Sequence, residues 1–211
     1  MEGRNDVSDR QNQKARTRKA IVDACRELTR SGAEVTMPRV AKLAMVSEAT
    51  AYRYFPDLVS LLREALDGLW PDPAQALAEV AGSRDPVERV AAACEYLLRH
   101  VHAYQGAVRA MISHTITVPE AARARPGIRF GLIDYALAPF AAPPRLKLDL
   151  AVVVSAEAFF TLTDLCGLTP DEAIDSARQT AAALTRAAFS DHRSERTRLT
   201  TRAEPALPPA G

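Results

Sequence analysis

A chain of 211 residues with 47% hydrophobic and 25% charged residues is long enough for one large domain or for a small one plus a mid-sized one, and has the composition of an ordinary globular protein. No apolar run approaches the roughly 18 residues that span a bilayer, and residues 1–18 are too polar for a secretory leader, so a cytoplasmic protein with no membrane partner is expected. The net charge of +1 hides an asymmetry: residues 10–53 carry ten Arg/Lys against four acids, a balance of +6, so the remainder sums to about −5.

The chain reads as all-α, with about nine helices and no alternating β pattern. Residues 1–14 are expected to be a flexible basic arm, with Lys14, Arg16 and Arg18 adding non-specific affinity for a polyanion. A first helix over 15–30 places Ile21, Ala24, Cys25 and Leu28 on one buried stripe and stops at Gly32. Thr36 caps a second helix with Pro38 in its first turn, and Val40, Ala41 and Ala44 face inward. Ser47 caps a third helix that ends near Phe55. Asp57 caps a long fourth helix with Leu58, Leu61, Leu62, Ala65 and Leu69 on one side.

Beyond Pro71 and Pro73, Asp85-Pro86 starts a helix to about residue 102, with a break near Gly106 and a continuation to about 116. A helix over 128–140 follows, then an apolar one over 146–166 that should be buried on more than one side. Thr169-Pro-Asp-Glu172 is a capping box for a last helix to about 189, and 191–211 read as a disordered tail. Cys25, Cys94 and Cys166 are far apart and outside any CxxC pattern, which suits small core residues in a reducing compartment.

The segment 40–55 carries the chemistry. It is two short helices around a tight turn, and the second offers hydroxyl, phenol and guanidinium groups in its first two turns above an apolar underside. A helix that reads a DNA duplex needs that distribution. The motif Val46-Ser47-x-x-Thr50-x-Tyr52-x-Tyr54-Phe55, with Thr36, Val40-Ala41, Ala44 and Leu61-Leu62, resembles the tetracycline-repressor (TetR) family of one-component transcriptional regulators over residues 13–62. The resemblance implies a three-helix helix-turn-helix head over 15–56 and a ligand-binding and dimerisation domain over 57–190. It also implies a homodimer on a pseudo-palindromic double-stranded operator, released when a small-molecule effector binds the larger domain. A repressor is the expected sense. Two positions depart from the family: Met45 stands where a glycine usually supplies a positive φ, at a cost of roughly 1 kcal/mol, and Leu58 where a lysine usually meets a phosphate.

The expected DNA contacts are Thr36, Arg39, Ser47, Glu48, Ala49, Thr50, Tyr52, Arg53 and Tyr54. Glu48 is placed to accept from a cytosine N4 amine. Ligand candidates are Tyr96 and His100, four apart on one helix, with Tyr104, Met111, His114, Phe130, Phe159 and Phe160 on inward-facing positions. Ile174, Ala177, Ala181, Leu184 and Ala188 form a stripe of mostly small side chains that, with Val153, is expected at the dimer interface. No metal or other cofactor is expected, since His100 and His102 point apart on a helix. A helical-bundle enzyme or plain dimerisation module is the alternative; no GxSxG, HExxH, P-loop or dinucleotide glycine fingerprint occurs, so the chain is not expected to be an enzyme.

Overall fold

The computed structural model describes the backbone of residues 3–68, 72–118, 120 and 127–202, and the side chains from 10 to 191 within those ranges. It is helical throughout, with no strand among the described residues. Nine helices of seven residues or more are α1 (Gly3–Arg30), α2 (Met37–Leu43), α3 (Glu48–Tyr54), α4 (Leu58–Leu66), α6 (Pro86–Ala103), α7 (Gln105–Thr117), α8 (Ile128–Leu137), α9 (Pro144–Val153) and α11 (Pro170–Arg202). Shorter elements among the described residues are α5 (Pro73–Ala76), a 3-10 turn over Ala78–Val80, α10 (Ala156–Phe160) and a π-helical turn over Thr161–Leu165 after it. None of the described helices is long and apolar enough to cross a membrane.

The chain divides into two compact units, Met1–Pro71 with His100–Pro126, and Asp72–Arg99 with Gly127–Gly211. α4 and α7 fall with the N-terminal helices in the first unit. The cause is packing. α4 lies on both α1 and α7, and Ile21, Cys25, Val40, Phe55, Leu61, Leu62, Ala107 and Met111 share one core.

Local signals explain the first unit. Thr36 caps α2 with its hydroxyl accepting from the Arg39 amide at 3.4 Å. The Ser47 hydroxyl accepts from the Thr50 amide at 3.1 Å, and Asp57 Oδ1 from Ser60 at 2.7 Å. Each supplies a partner to an otherwise orphaned helical N–H. Between α2 and α3 the chain turns through Met45 at φ 55°, which is left-handed backbone, with a side chain 92% exposed. Since the side chain packs on little, Met45→Gly is expected to stabilise the protein by about 1 kcal/mol, read by thermal unfolding. A lower melting temperature would contradict the strain.

Several expected boundaries move. α1 begins at Gly3 rather than 15, so the expected arm is helical from residue 3; a nucleated helix propagates through Arg, Lys and Gln at little cost. α4 is nine residues and stops at Gly68, φ 75°, instead of running on; Leu69 lies outside the described residues. The break after α6 falls at Tyr104, not at Gly106. Gly106 has another task. A Cβ on it would sit 2.4 Å from the Ala33 carbonyl oxygen, so only glycine lets α7 approach the loop after α1. Gly106→Ala is expected to cost about 1–3 kcal/mol by denaturant unfolding, because the clash is with backbone rather than a movable side chain.

In the second unit, the expected 146–166 helix is interrupted at Val154-Ser155. Ser155 is extended (φ −151°, ψ 152°) and its hydroxyl caps α10 by accepting from Ala158 at 3.0 Å. Three successive valines before it resist helix continuation. α8 ends at Leu137, before Pro139. The Thr169 box forms as expected: its amide and hydroxyl donate to Glu172 Oε2 at 2.8 and 2.7 Å, holding that carboxyl below its usual range. α11 continues to Arg202, past the expected end near 189; residues 203–211 of the expected tail lie outside the described residues.

Candidate nucleic-acid interface and ligand cleft

α3 is two-sided. Ala51 is completely buried and Phe55 behind it is 1% exposed, so the helix is fixed by its underside. Glu48, Ala49, Tyr52 and Arg53 are exposed on its outer side, with Tyr52 at 48%. Thr50 is half-buried, and Ser47 donates to its hydroxyl oxygen at 2.9 Å. Tyr54 is also half-buried and packs against the core, and its ring carries the Arg53 guanidinium 5.7 Å from the centroid. The face therefore presents one carboxylate, one phenol and one guanidinium, with Tyr54 acting mainly as a support.

Charge around that face is partly answered within the unit. Arg39 sits 3.6 Å from Glu34. Arg18, expected in a basic arm, is instead a clamp: its guanidinium pairs with Glu64 through Nε at 3.0 Å, donates to the Tyr54 carbonyl at 3.4 Å, and lies 4.4 Å from the Phe55 centroid. It ties α1 to the end of α3 and to α4. Lys14 and Arg16 are exposed on α1. Asp23 takes Lys19 and Arg26, and the hydrogen bond from Lys19 lowers its carboxyl pKa despite some desolvation.

The ligand candidates divide between the two units. His100, Tyr104, Met111 and His114 belong to the first unit, and Tyr96, Phe130, Phe159 and Phe160 to the second. Met111 and Phe159 are core residues, buried among apolar neighbours. Phe130 is exposed beneath Arg129, and Phe160 meets Phe159 edge-on at 5.6 Å. His100 and Tyr104 stack obliquely at 5.9 Å. Helical spacing marks a face; it does not say whether side chains or a ligand cover it.

A cleft of about 660 Å³ lies in the first unit, between the loop after α1, the start of α4 and one side of α7. Only His114 of the expected residues lines it. Its walls also carry Glu34, Thr36, Leu58, Gln105, Arg109 and Ser113. Sequence reading gave Thr36 and Leu58 other roles and passed over Glu34, Gln105, Arg109 and Ser113, because the lining comes from three separate segments. The one local hint was Gly106, which stands in the wall where the segments converge.

Part of the expected dimer stripe is covered within the chain. Ile174, Ala177 and Ala181 are buried within a single chain, where α11 packs on α9 and α10. Leu184 and Ala188 are half-buried beside Leu146 along a smaller groove, and Val153 is half-buried. On α9, Leu148 and Val152, four residues apart, are 67% and 71% exposed.

No family model, curated protein or solved structure matches the chain.

The thiols offer no reactive centre in the two cores. Burial pushes Cys25 and Cys94 each up to about 12, which keeps them protonated and inert. Cys166 departs from the expected pattern: it is exposed, directly after the π-helical turn over Thr161–Leu165. Asp164 in that turn is exposed and accepts from the Thr163 hydroxyl at 2.9 Å. Among the described residues, no three His, Cys, Asp or Glu side chains gather as a metal set.

Proposed function

We propose that the chain is a ligand-responsive, DNA-binding transcriptional regulator of the TetR type, acting as a repressor, which binds a pseudo-palindromic duplex as a homodimer. The observation that carries this reading is the outer face of α3. A short helix is pinned from below by Ala51 and Phe55, and offers Glu48, Tyr52 and Arg53 to the outside. Rigid docking with polar groups outward is what base-edge readout in a major groove requires. Tyr52 supplies a ring for the sugar-phosphate and a hydroxyl donor, Arg53 reaches a phosphate or guanine, and Glu48 accepts from cytosine.

One such helix reads only a few base pairs, so useful specificity calls for two copies. Leu148 and Val152 supply a surface that a second copy would cover. Two large apolar side chains on adjacent turns are a poor face to leave in water. Leu148→Glu with Val152→Glu is expected to shift the protein from dimer to monomer in analytical ultracentrifugation at micromolar concentration. A dimer that survives both substitutions moves the interface elsewhere.

The function itself is tested by selecting duplexes from a random pool and measuring gel shift at 50 and 200 mM salt. The proposal predicts an enriched inverted repeat and a discrete complex. With only the few phosphate contacts this unit offers, and Leu58 in place of a cation, affinity should fall about 10- to 1,000-fold between those salts. Unselective retention without an enriched sequence would leave an ordinary basic surface.

A further inference from the structure

The cleft of the first unit lies apart from the outer face of α3, yet it adjoins the elements that hold α3 in place. Its volume of about 660 Å³ falls in the range of roughly 300–1,000 Å³ that takes small organic ligands. Val35 and Leu58 give it an apolar side, and the small residues Gly106 and Ala110 leave the facing stretch of α7 without bulk. Two charged groups in its walls are engaged already: Glu34 lies 3.6 Å from Arg39, and Arg109 has a partner of its own. The Thr36 hydroxyl oxygen accepts from the Arg39 amide, and the Thr117 hydroxyl donates to the Ser113 and His114 carbonyls at 3.3 and 3.0 Å. Three polar side chains remain: the Gln105 amide, the Ser113 hydroxyl and the His114 imidazole, none of them hydrogen-bonded among the described residues. An amide, a hydroxyl and a neutral imidazole each both donate and accept. What faces an incoming molecule is therefore an apolar wall and two-way hydrogen-bonding groups, with the Glu34 and Arg109 charges already answered.

We infer that this cleft binds an uncharged lactam or carboxamide with a flat apolar body, its amide edge on Gln105 and its body against Val35, Leu58 and Ala110. A side-chain amide meets a lactam through two hydrogen bonds of opposite sense: its N–H donates to the ligand carbonyl, and its own carbonyl accepts from the ligand N–H. Gln105 is half-buried, and a partly buried acceptor left without its donor is the larger loss. An N-alkyl lactam or a carboxylate brings no donor to that carbonyl, so a site of this kind rejects both. The regulatory consequence rests on the DNA-binding reading above. Thr36 stands both in the cleft wall and at the cap of α2, and α2 packs against α3. A ligand that displaces the 32–36 loop from α7 shifts α2 and with it α3, all inside one unit. Coupling of 5- to 150-fold in DNA affinity is the usual span for such linkage.

The test is titration calorimetry of the full-length protein with 2-quinolinone, N-methyl-2-quinolinone and 2-quinolinecarboxylate. 2-Quinolinone is expected to bind at least tenfold tighter than either of the others. Gln105→Met, which keeps the length of the side chain and removes its amide, should abolish the preference over the N-methyl compound while leaving weak binding of the apolar ring. Ser113→Trp, which fills the cleft from an exposed position, should remove binding of all three. A lost preference with retained ring binding cannot come from misfolding, and the circular dichroism melt of each variant reads folding separately. No binding of 2-quinolinone, equal binding of the two lactams, tighter binding of the carboxylate, a preference that survives Gln105→Met, or heats indifferent to Ser113→Trp would each overturn the assignment. Saturating 2-quinolinone is then added to the gel shift, where loss of the discrete band is expected; a band that persists defeats the coupling. A protein that binds 2-quinolinone in the cleft but shifts no duplex would defeat the regulator reading and leave the ligand site standing.

Discussion

Arg89→Met is expected to lower the unfolding free energy by about 3–5 kcal/mol, the largest loss from any single side chain outside the apolar cores. Arg89 is 2% exposed, and its guanidinium donates to four backbone carbonyls. Nε meets Ala136 at 2.9 Å, one terminal nitrogen meets Val80 and Ala81 at 2.8 Å each, and the other meets Tyr135 at 2.9 Å. The Tyr135 carbonyl needs this donor. Its helical partner four residues on is Pro139, which has no N–H. The Tyr135 ring also lies 5.3 Å beneath the charge. Charged hydrogen bonds contribute about 1.5–3 kcal/mol each, and a buried acceptor left unmet costs about 1–3 kcal/mol. The sum is not reached, because methionine keeps the stem's packing and some carbonyls will find water. Urea unfolding measures the loss. Arg89→Lys should recover less than half of it, since an ammonium cannot span four acceptors in the plane of a guanidinium. A change below 1 kcal/mol in Arg89→Met would mean that these carbonyls are hydrated without the arginine.

The second large effect is on binding rather than stability. Tyr52→Ala is expected to weaken binding to the selected duplex by about 10- to 100-fold, the loss of one good contact of 1–3 kcal/mol. Folding should be unchanged within about 0.5 kcal/mol, because the side chain is half in solvent and the core beneath is Ala51 and Phe55. Tyr54→Ala should show the opposite balance: its ring is packed on the core and supports Arg53, so stability falls along with affinity. Fluorescence anisotropy for affinity and thermal unfolding for stability separate the two. Equal losses of affinity with no loss of stability in either variant would put both rings at the DNA.

Features written in a few consecutive residues were the ones legible in the sequence. Thr36, Ser47, Asp57 and the Thr169–Glu172 box announce their helix starts because a cap needs only its own three or four neighbours. Met45 could be read as a strained turn for the same reason. Relations between distant segments stayed hidden. The stripe Ile174, Ala177, Ala181 does share one helical face, but periodicity could not say that α9 and α10 of the same chain cover it. The Ser155 break was masked by the apolar run on either side of it. Gly106 looked like a helix break when its role is close approach to Ala33, 73 residues earlier in the chain. The cleft depends on that approach, which is why its lining could not be assembled from spacing alone.

Hydroxyl-radical footprinting of the purified protein on its selected duplex addresses the proposed arrangement most directly. Two protected stretches, centred about 10 base pairs apart on one face of the duplex and both lost in Tyr52→Ala, are the predicted pattern. A single protected stretch, or protection that persists without Tyr52, would contradict it.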